Sequence, residues 1–287
     1  MLRSMLFVPG DRPERFEKAL SSGADAVIQD LEDSVAPQDK ERARLAVAQS
    51  ITPNDPGRAR RFVRINGLDT SHSWDDIQAV VRPGLEAIVL PKTQSAHDVH
   101  IISYLLGQLE LRRGMSSGSI AIVPLVETAI GTQQLTAISA ASPRVKHLTF
   151  GAVDLSLELS LDMNNEAQNL SQLRWQIVTA SRASGLEAPI DTVFTDLAND
   201  SELAASVSRA RAAGFQGKLC LHPRQVPIVN DAFLPSASEI EKARRIEALM
   251  HQTGAGVATI DGKMIDRPVV DWARRTLAYA RQAGRLN

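Results

Sequence analysis

The sequence predicts an α/β protein of the (β/α)8 TIM-barrel class carrying a small C-terminal helical lid. Three observations lead there. Short apolar runs alternate with longer helical patterns over residues 1–235, as parallel strands with crossover helices do. The runs are continuous rather than alternating in polarity, which suits strands covered on both faces. The first turn, VPGDRPE, lacks the G-x-G-x-x-G fingerprint expected of the rival open, doubly wound sheet.

The elements follow in order. RSMLFVPG precedes a helical pattern at 12–22, for which Asp11 is a plausible N-cap. ADAVIQD precedes 37–50, RFVRIN precedes 73–81, and EAIVLPK precedes 95–112. SIAIVPLVE leads into 129–141 and KHLTFGAVD into 166–184. GLEAPID is a weak seventh strand, short and interrupted by Pro189; after a helical pattern at 200–213, GKLCLHP is a convincing eighth. From 236 to 287 the pattern changes to a polar helix at 238–252, a glycine-rich connector through DGKMIDRP, and a final helix at 268–284. This appendage has too small a core to fold alone, so it packs on a barrel rim or a neighbouring subunit, placing Asp261 or Asp266 near an active site.

Composition narrows the function. The 32 basic and 33 acidic residues leave a net charge of -1, with no field of one sign to attract nucleic acid or anionic lipid. Aromatic residues make up 4% and do not cluster into base-stacking platforms, so a small-molecule partner is favoured. The N-terminal apolar stretch is too short for a signal-peptide core or a membrane span. Cys220, the only cysteine, excludes an internal disulfide and a thiolate metal cluster and fits a cytoplasmic location.

Several runs end on charge. IVPLVE closes at Glu127, LTFGAVD at Asp154, and RFVRIN on Arg64 and Asn66. Two hard oxygen ligands facing a guanidinium suit a divalent cation that holds an anionic, oxygen-rich substrate. Mg2+ usually takes one or two protein carboxylates, which matches Glu127 and Asp154. The competing possibility is that each acid merely caps or begins the helix after its strand. Zinc is disfavoured, since the six histidines show no H-x-x-x-H spacing, and His97 with His100 reads as a solvated helix face. Asp30, Glu32 and Asp33 close the second strand and are expected to support Arg64, Lys92 or metal-bound waters from behind; for Asp33 a solvated role is as good an expectation. Lys92 offers either a Schiff-base amine or fixed positive charge, and beside carboxylates its pKa stays high, favouring charge.

LFVPGDRPERF, DLED, VRIN, LPK, LVET and FGAVDLS in this order, followed by CLHP and GKMID, resemble the citrate lyase β-subunit-like enzymes of the HpcH/HpaI aldolase superfamily. The resemblance spans Leu6 to about Pro268. It implies a barrel with a C-terminal lid, assembled into homotrimers in which one subunit's lid covers its neighbour's site. It also implies Mg2+-dependent cleavage or formation of a C–C bond in a 3-hydroxyacyl thioester such as citramalyl-CoA, malyl-CoA or a citryl thioester. By the same resemblance Glu127 and Asp154 bind Mg2+, Arg64 contacts the keto acid, and Asp266 is the lid acid or base acting across the subunit interface; Asp261 does not fall on that position. Gln29 departs from the aliphatic residue common in the second strand, and LSLELSLDMNNEAQ after Asp154 is variable territory that bears on substrate choice. A class II pyruvate aldolase and a non-catalytic scaffold subunit of a lyase complex are the alternatives.

Overall fold

Eight parallel strands close into a barrel in the order in which they occur along the chain: β1 (Ser4–Pro9), β2 (Ala26–Asp30), β3 (Arg60–Arg64), β4 (Ala87–Leu90), β5 (Ala121–Val126), β6 (Thr149–Phe150), β7 (Ile190–Asp191) and β8 (Gly217–Cys220). β8 returns to pair with β1 through Ser4↔Lys218 to Leu6↔Cys220, which completes the ring. The computed structural model describes residues 2–53, 58–162, 165–253 and 257–286. It divides into two compact units, Met1–Asn230 and Asp231–Asn287.

The helices of the first unit are α1 (Phe16–Leu20), α2 (Lys40–Ser50), α3 (Ser73–Val80), α4 (Ala96–Arg112), α5 (Ala129–Gln133), α6 (Leu135–Ala140), α7 (Ala152–Glu158), α8 (Glu166–Asn169), α9 (Ser171–Ala183) and α10 (Asp200–Ala213), with α11 (Gln225–Ala232) at its end. Several carry their own start signals. Ser95 and Asp98 form a capping box on α4, Thr128 caps α5 and Asn199 caps α10. Asp11, expected as a cap, caps nothing: Arg12 holds that position and a short 3-10 turn, Pro13–Arg15, precedes α1. Proline at the first position of that turn fixes the backbone without needing a side-chain cap.

Side chains alternate along each strand, and this period of two builds both the core and the mouth. Met5, Ala26, Ile28, Phe62, Val123 and Leu125 fill the barrel interior. Continuing the same alternation by one more step brings Phe7, Asp30, Arg64 and Glu127 to the C-terminal rim, where barrel enzymes place their chemistry. The opposite face of the strands meets the helices and carries buried ion pairs. Asp191 receives Lys218 Nζ at 2.6 Å and Arg174 Nε at 2.9 Å. Glu110 receives Arg144 at 2.7 and 2.6 Å and the amides of Gly118 and Ile120.

The second unit packs α12 (Ala237–Thr253) against α13 (Arg267–Gln282) over Ile246, Ile265, Val270, Ala273 and Leu277. Its connector is more ordered than the sequence suggests. β9 (Ala258–Ile260) and β10 (Lys263–Ile265) form an antiparallel hairpin, turned by Asp261 and Gly262 at φ 49° and 73°. Asp-Gly with both residues left-handed is the two-residue turn whose twist matches a hairpin. Gly254 and Gly256 lie outside the described residues, as do Met163 and Asn164 of the loop after Asp154.

The Glu110–Arg144 pair sets a stability prediction. Burial works against the Glu110 charge, but Arg144 and the two amides hold its carboxyl down at about 2. Its contribution is therefore complete above the ordinary carboxylate range and is lost as pH falls toward about 2. Arg144→Met, which strands the buried carboxylate, is expected to cost about 3–5 kcal/mol near neutral pH, read from urea unfolding. Glu110→Gln should differ most from the parent protein near neutrality, with the gap narrowing as the solution is acidified.

Candidate active site

At the rim, β2 and β3 end opposite each other, with Asp30 registered on Arg64. Arg64 places Nε and a terminal nitrogen on the two oxygens of Asp30, both at 2.7 Å, and its other terminal nitrogen 2.7 Å from Glu32 Oε2. The guanidinium also lies over the Phe7 ring, 5.0 Å from its centroid. A guanidinium has five N–H donors in a plane. Nε and one terminal nitrogen each commit an N–H to Asp30, whereas the contact with Glu32 is an ion pair without hydrogen-bond geometry. The geometry thus differs from a free bidentate clamp, because Asp30 already occupies the side-on fork.

The acids fall into three environments. Asp30 is buried, which alone would raise its pKa, but Arg64 and the amides of Glu32 and Ser34 hold it below the ordinary range. Burial raises Glu32 despite the Arg64 and Lys92 cations. Asp33 is exposed at the rim, 3.9 Å from Lys92. Arg64 pays for burial of its charge through Asp30, Glu32 and Glu127, which keep it firmly cationic. Lys40, opening α2, donates to the carbonyls of Leu31 and Glu32 at 2.8 and 2.7 Å and so holds the loop that aims Glu32.

Lys92 follows β4 in the left-handed region, at φ 48°. That turn lets one residue serve two acids: its amide donates to Glu127 Oε1 at 2.9 Å, and its ammonium donates to Glu32 at 2.8 Å. The Glu32 bond raises the Lys92 pKa, so the amine is a fixed charge rather than a free nucleophile. Asn66, just past the end of β3, is buried and held by Asp76 through its amide and side chain at 2.9 and 2.6 Å.

Glu127 follows β5 directly, as its sequence position suggests, and is 3% exposed. Burial pushes its pKa up to about 8, with Glu32 and Asp154 adding repulsion that the Lys92 amide and Arg64 only partly relieve. Asp154 corrects the expectation that it ends a strand. β6 stops at Phe150, and Asp154 lies half-buried in the first turn of α7. Gly151 makes the junction, and a Cβ there would lie 2.2 Å from Glu127 Oε2. The strand therefore has to yield to a glycine where the Glu127 side chain crosses it.

Glu127, Asp154, Gly151, Arg64 and Asp30 line one cleft of about 370 Å3, together with Thr192 from the end of β7. A buried carboxylate that its surroundings push toward neutrality, with a second acid on the same cleft, fits a small hard cation that would hold Glu127 ionised. Among the described residues no group of three or more His, Cys, Asp or Glu side chains is arranged to hold a metal. Asp266 lies in the second unit, at the N-cap of α13, where its carboxylate makes no capping hydrogen bond. Asp261 is exposed on the hairpin turn and pairs with Arg245 at 3.1 Å. Gly151, Phe7 and Thr192 were not singled out by the sequence; the Phe-Gly pair before a helix was the available signal for the first.

These features define a barrel with an acid-lined, arginine-bearing mouth suited to a metal-chelated oxyacid. Residues 3–223 match the HpcH/HpaI aldolase/citrate lyase family, and the chain belongs to it. It is 34% identical to the citrate lyase subunit beta of Leuconostoc mesenteroides subsp. cremoris over 97% of this chain and 93% of that protein. It is 34% identical to the L-malyl-CoA/beta-methylmalyl-CoA lyase of Cereibacter sphaeroides, over 92% of this chain and 90% of that one. Among solved structures it resembles CitE from Mycobacterium tuberculosis in complex with magnesium, acetoacetate and coenzyme A, with a TM-score of 0.82 and 34% identity over 97% of this chain and 98% of that one.

Gly151→Ala should drive the new methyl into Glu127. The expected outcome is Mn2+ binding weakened at least about tenfold, measured by calorimetry, with far-UV circular dichroism unchanged.

Proposed function

We propose that this chain is a Mg2+-dependent carbon–carbon lyase that cleaves a 3-hydroxyacyl thioester into an acetyl thioester and a 2-keto acid. Citramalyl-CoA, malyl-CoA and a citryl thioester, yielding pyruvate, glyoxylate and oxaloacetate, are the candidate substrates, with a free CoA ester preferred and citramalyl-CoA first. The observation that carries this reading is the buried Glu127 carboxylate, pushed up to about 8 by burial, on the same cleft as Arg64. Family membership and the relatives named above support it.

Glu127 and Asp154 would hold Mg2+, which when bound supplies a Lewis acid for the substrate's hydroxyl and carboxylate oxygens. Arg64 directs its remaining N–H groups at the keto-acid carboxylate, and Asp30 and Glu32 stop the guanidinium from rotating away. Lys92 adds positive charge at the rim. As the hydroxyl gives up its proton and becomes the keto-acid C=O, the C–C bond breaks and its electron pair passes to the carbon next to the thioester carbonyl; Asp266, as the lid acid or base, returns a proton to that carbon. Its carboxylate is available because it does not cap α13.

Asp266 is read as reaching the site of a neighbouring subunit, with 236–287 as the lid and a homotrimer as the assembly. A chain with near-balanced charge and one buried cysteine is read as cytoplasmic, with no nucleic-acid or membrane partner. No helix of the described residues is long and apolar enough to cross a membrane.

The test is turnover of a panel of acyl-CoA substrates with Mg2+, following pyruvate, glyoxylate and oxaloacetate. Glu127→Ala or Asp154→Ala should abolish turnover with the fold intact, and full activity in EDTA would sink the metal assignment. Cleavage of a pyruvate–aldehyde adduct without any thioester turnover would mark a class II aldolase; no turnover of any substrate would mark a non-catalytic subunit. Asp266→Asn and Arg64→Ala subunits, each inactive alone, should regain activity when mixed, because one lid and one barrel are then intact at a shared site. Inactivity of every mixture would count against that sharing.

A further inference from the structure

We infer that Thr192 is a positioning residue for the cation site: its hydroxyl replaces the missing cap of α7 and thereby fixes Asp154 beside Glu127. The inference rests on the metal reading above.

A helix ordinarily begins on a residue whose side-chain oxygen accepts one of the first free amides. α4, α5 and α10 do so with Ser95, Thr128 and Asn199, whereas α1, α2, α3, α6, α8 and α9 begin without a side-chain cap. α7 cannot, because its N-cap is Gly151. No capping side chain can be introduced there, since a Cβ would lie 2.2 Å from Glu127 Oε2 and 2.9 Å from Glu127 Cβ. The space a cap would need is filled by one of the two proposed ligands.

The first amide of α7, on Ala152, is buried, and a buried donor left without a partner is destabilising. It donates instead to Thr192 Oγ1 at 3.0 Å, across from the end of β7. Ala152 and Thr192 are 3% and 1% exposed, so water does not compete for the bond. β6 and β7 share the single registered pair Thr149↔Ile190; Arg174 joins their ends from the outer face, over the Phe150 ring and on Asp191, so on the cleft side Thr192 makes the link. Asp154 sits in the same first turn, two residues after the amide that Thr192 holds. Glu127 thus leaves no room for a local cap, and Thr192 instead anchors the first amide of α7 from the next strand, so that the turn bearing Asp154 stays in place.

The experiment uses the full chain and Mn2+ as the probe, without substrate. Thr192→Val is close in shape but lacks the acceptor, whereas Thr192→Ser keeps it. Calorimetric Mn2+ titration should show binding weakened by about tenfold or more in Thr192→Val, and within about threefold of the parent in Thr192→Ser. Hydrogen exchange of the segment Ala152–Glu158 should accelerate in the valine variant only. Parent-like Mn2+ affinity in Thr192→Val overturns the inference while leaving the metal reading intact. Weakened binding with unchanged exchange in that segment also overturns it, because Thr192 would then act by some route other than α7. A parent protein that takes up no Mn2+ overturns the metal reading, and this inference with it.

Discussion

The constraint on which the site depends is the burial of charge at the ends of strands. A carboxylate or guanidinium taken out of water is unfavourable unless its partners are placed to meet it. β2 and β3 deliver Asp30 and Arg64 in register, and the loop beyond β2 adds Glu32 to the same guanidinium. Arg64 is thereby held flat, oriented and charged at the mouth of an otherwise apolar barrel. Glu127 stands apart from this closed set. Its one backbone donor and its acidic neighbours leave it short of positive charge, a deficit the proposed cation would fill.

The two faces of the barrel strands divide their labour through the simple alternation of side chains. β7 and β8 send Asp191 and Lys218 outward, where with Arg174 they form a buried ion group between the barrel and α9. The residue after Asp191, Thr192, faces the cleft. A buried ion group and a cleft-lining hydroxyl thus lie one residue apart along the chain, on opposite faces of the strand. Cys220, on the outer face, has its thiol pushed up to about 12 by burial, so it has no part in the chemistry of the mouth.

The barrel, Glu127, Arg64 and the acids after β2 were legible in the sequence because hydrocarbon packing gives a continuous apolar run no reason to stop at a charged residue. Asp154 was placed one step wrong for a definite reason. LTFGAVD keeps its apolar character through Ala152 and Val153, although Gly151 has already ended the strand, and hydrophobicity alone does not distinguish a strand from the buried first turn of a helix. The weak seventh strand is weak in the structure too, only two residues long. Contacts such as Ala152 to Thr192 join positions 40 residues apart and leave no local pattern to read. The hairpin turn at Asp261 and Gly262, by contrast, carries a local signal in the Asp-Gly pair, although its short flanking strands read as connector by composition.

β6 and β7 are the shortest staves of the barrel, while β1 and β2 are joined along five registered pairs. The ring is thinnest in backbone pairs beneath Gly151 and Thr192, so on the side of the mouth that holds Asp154 side chains carry the join: Thr192 from within the cleft, and Arg174 from behind, over Phe150 and on Asp191.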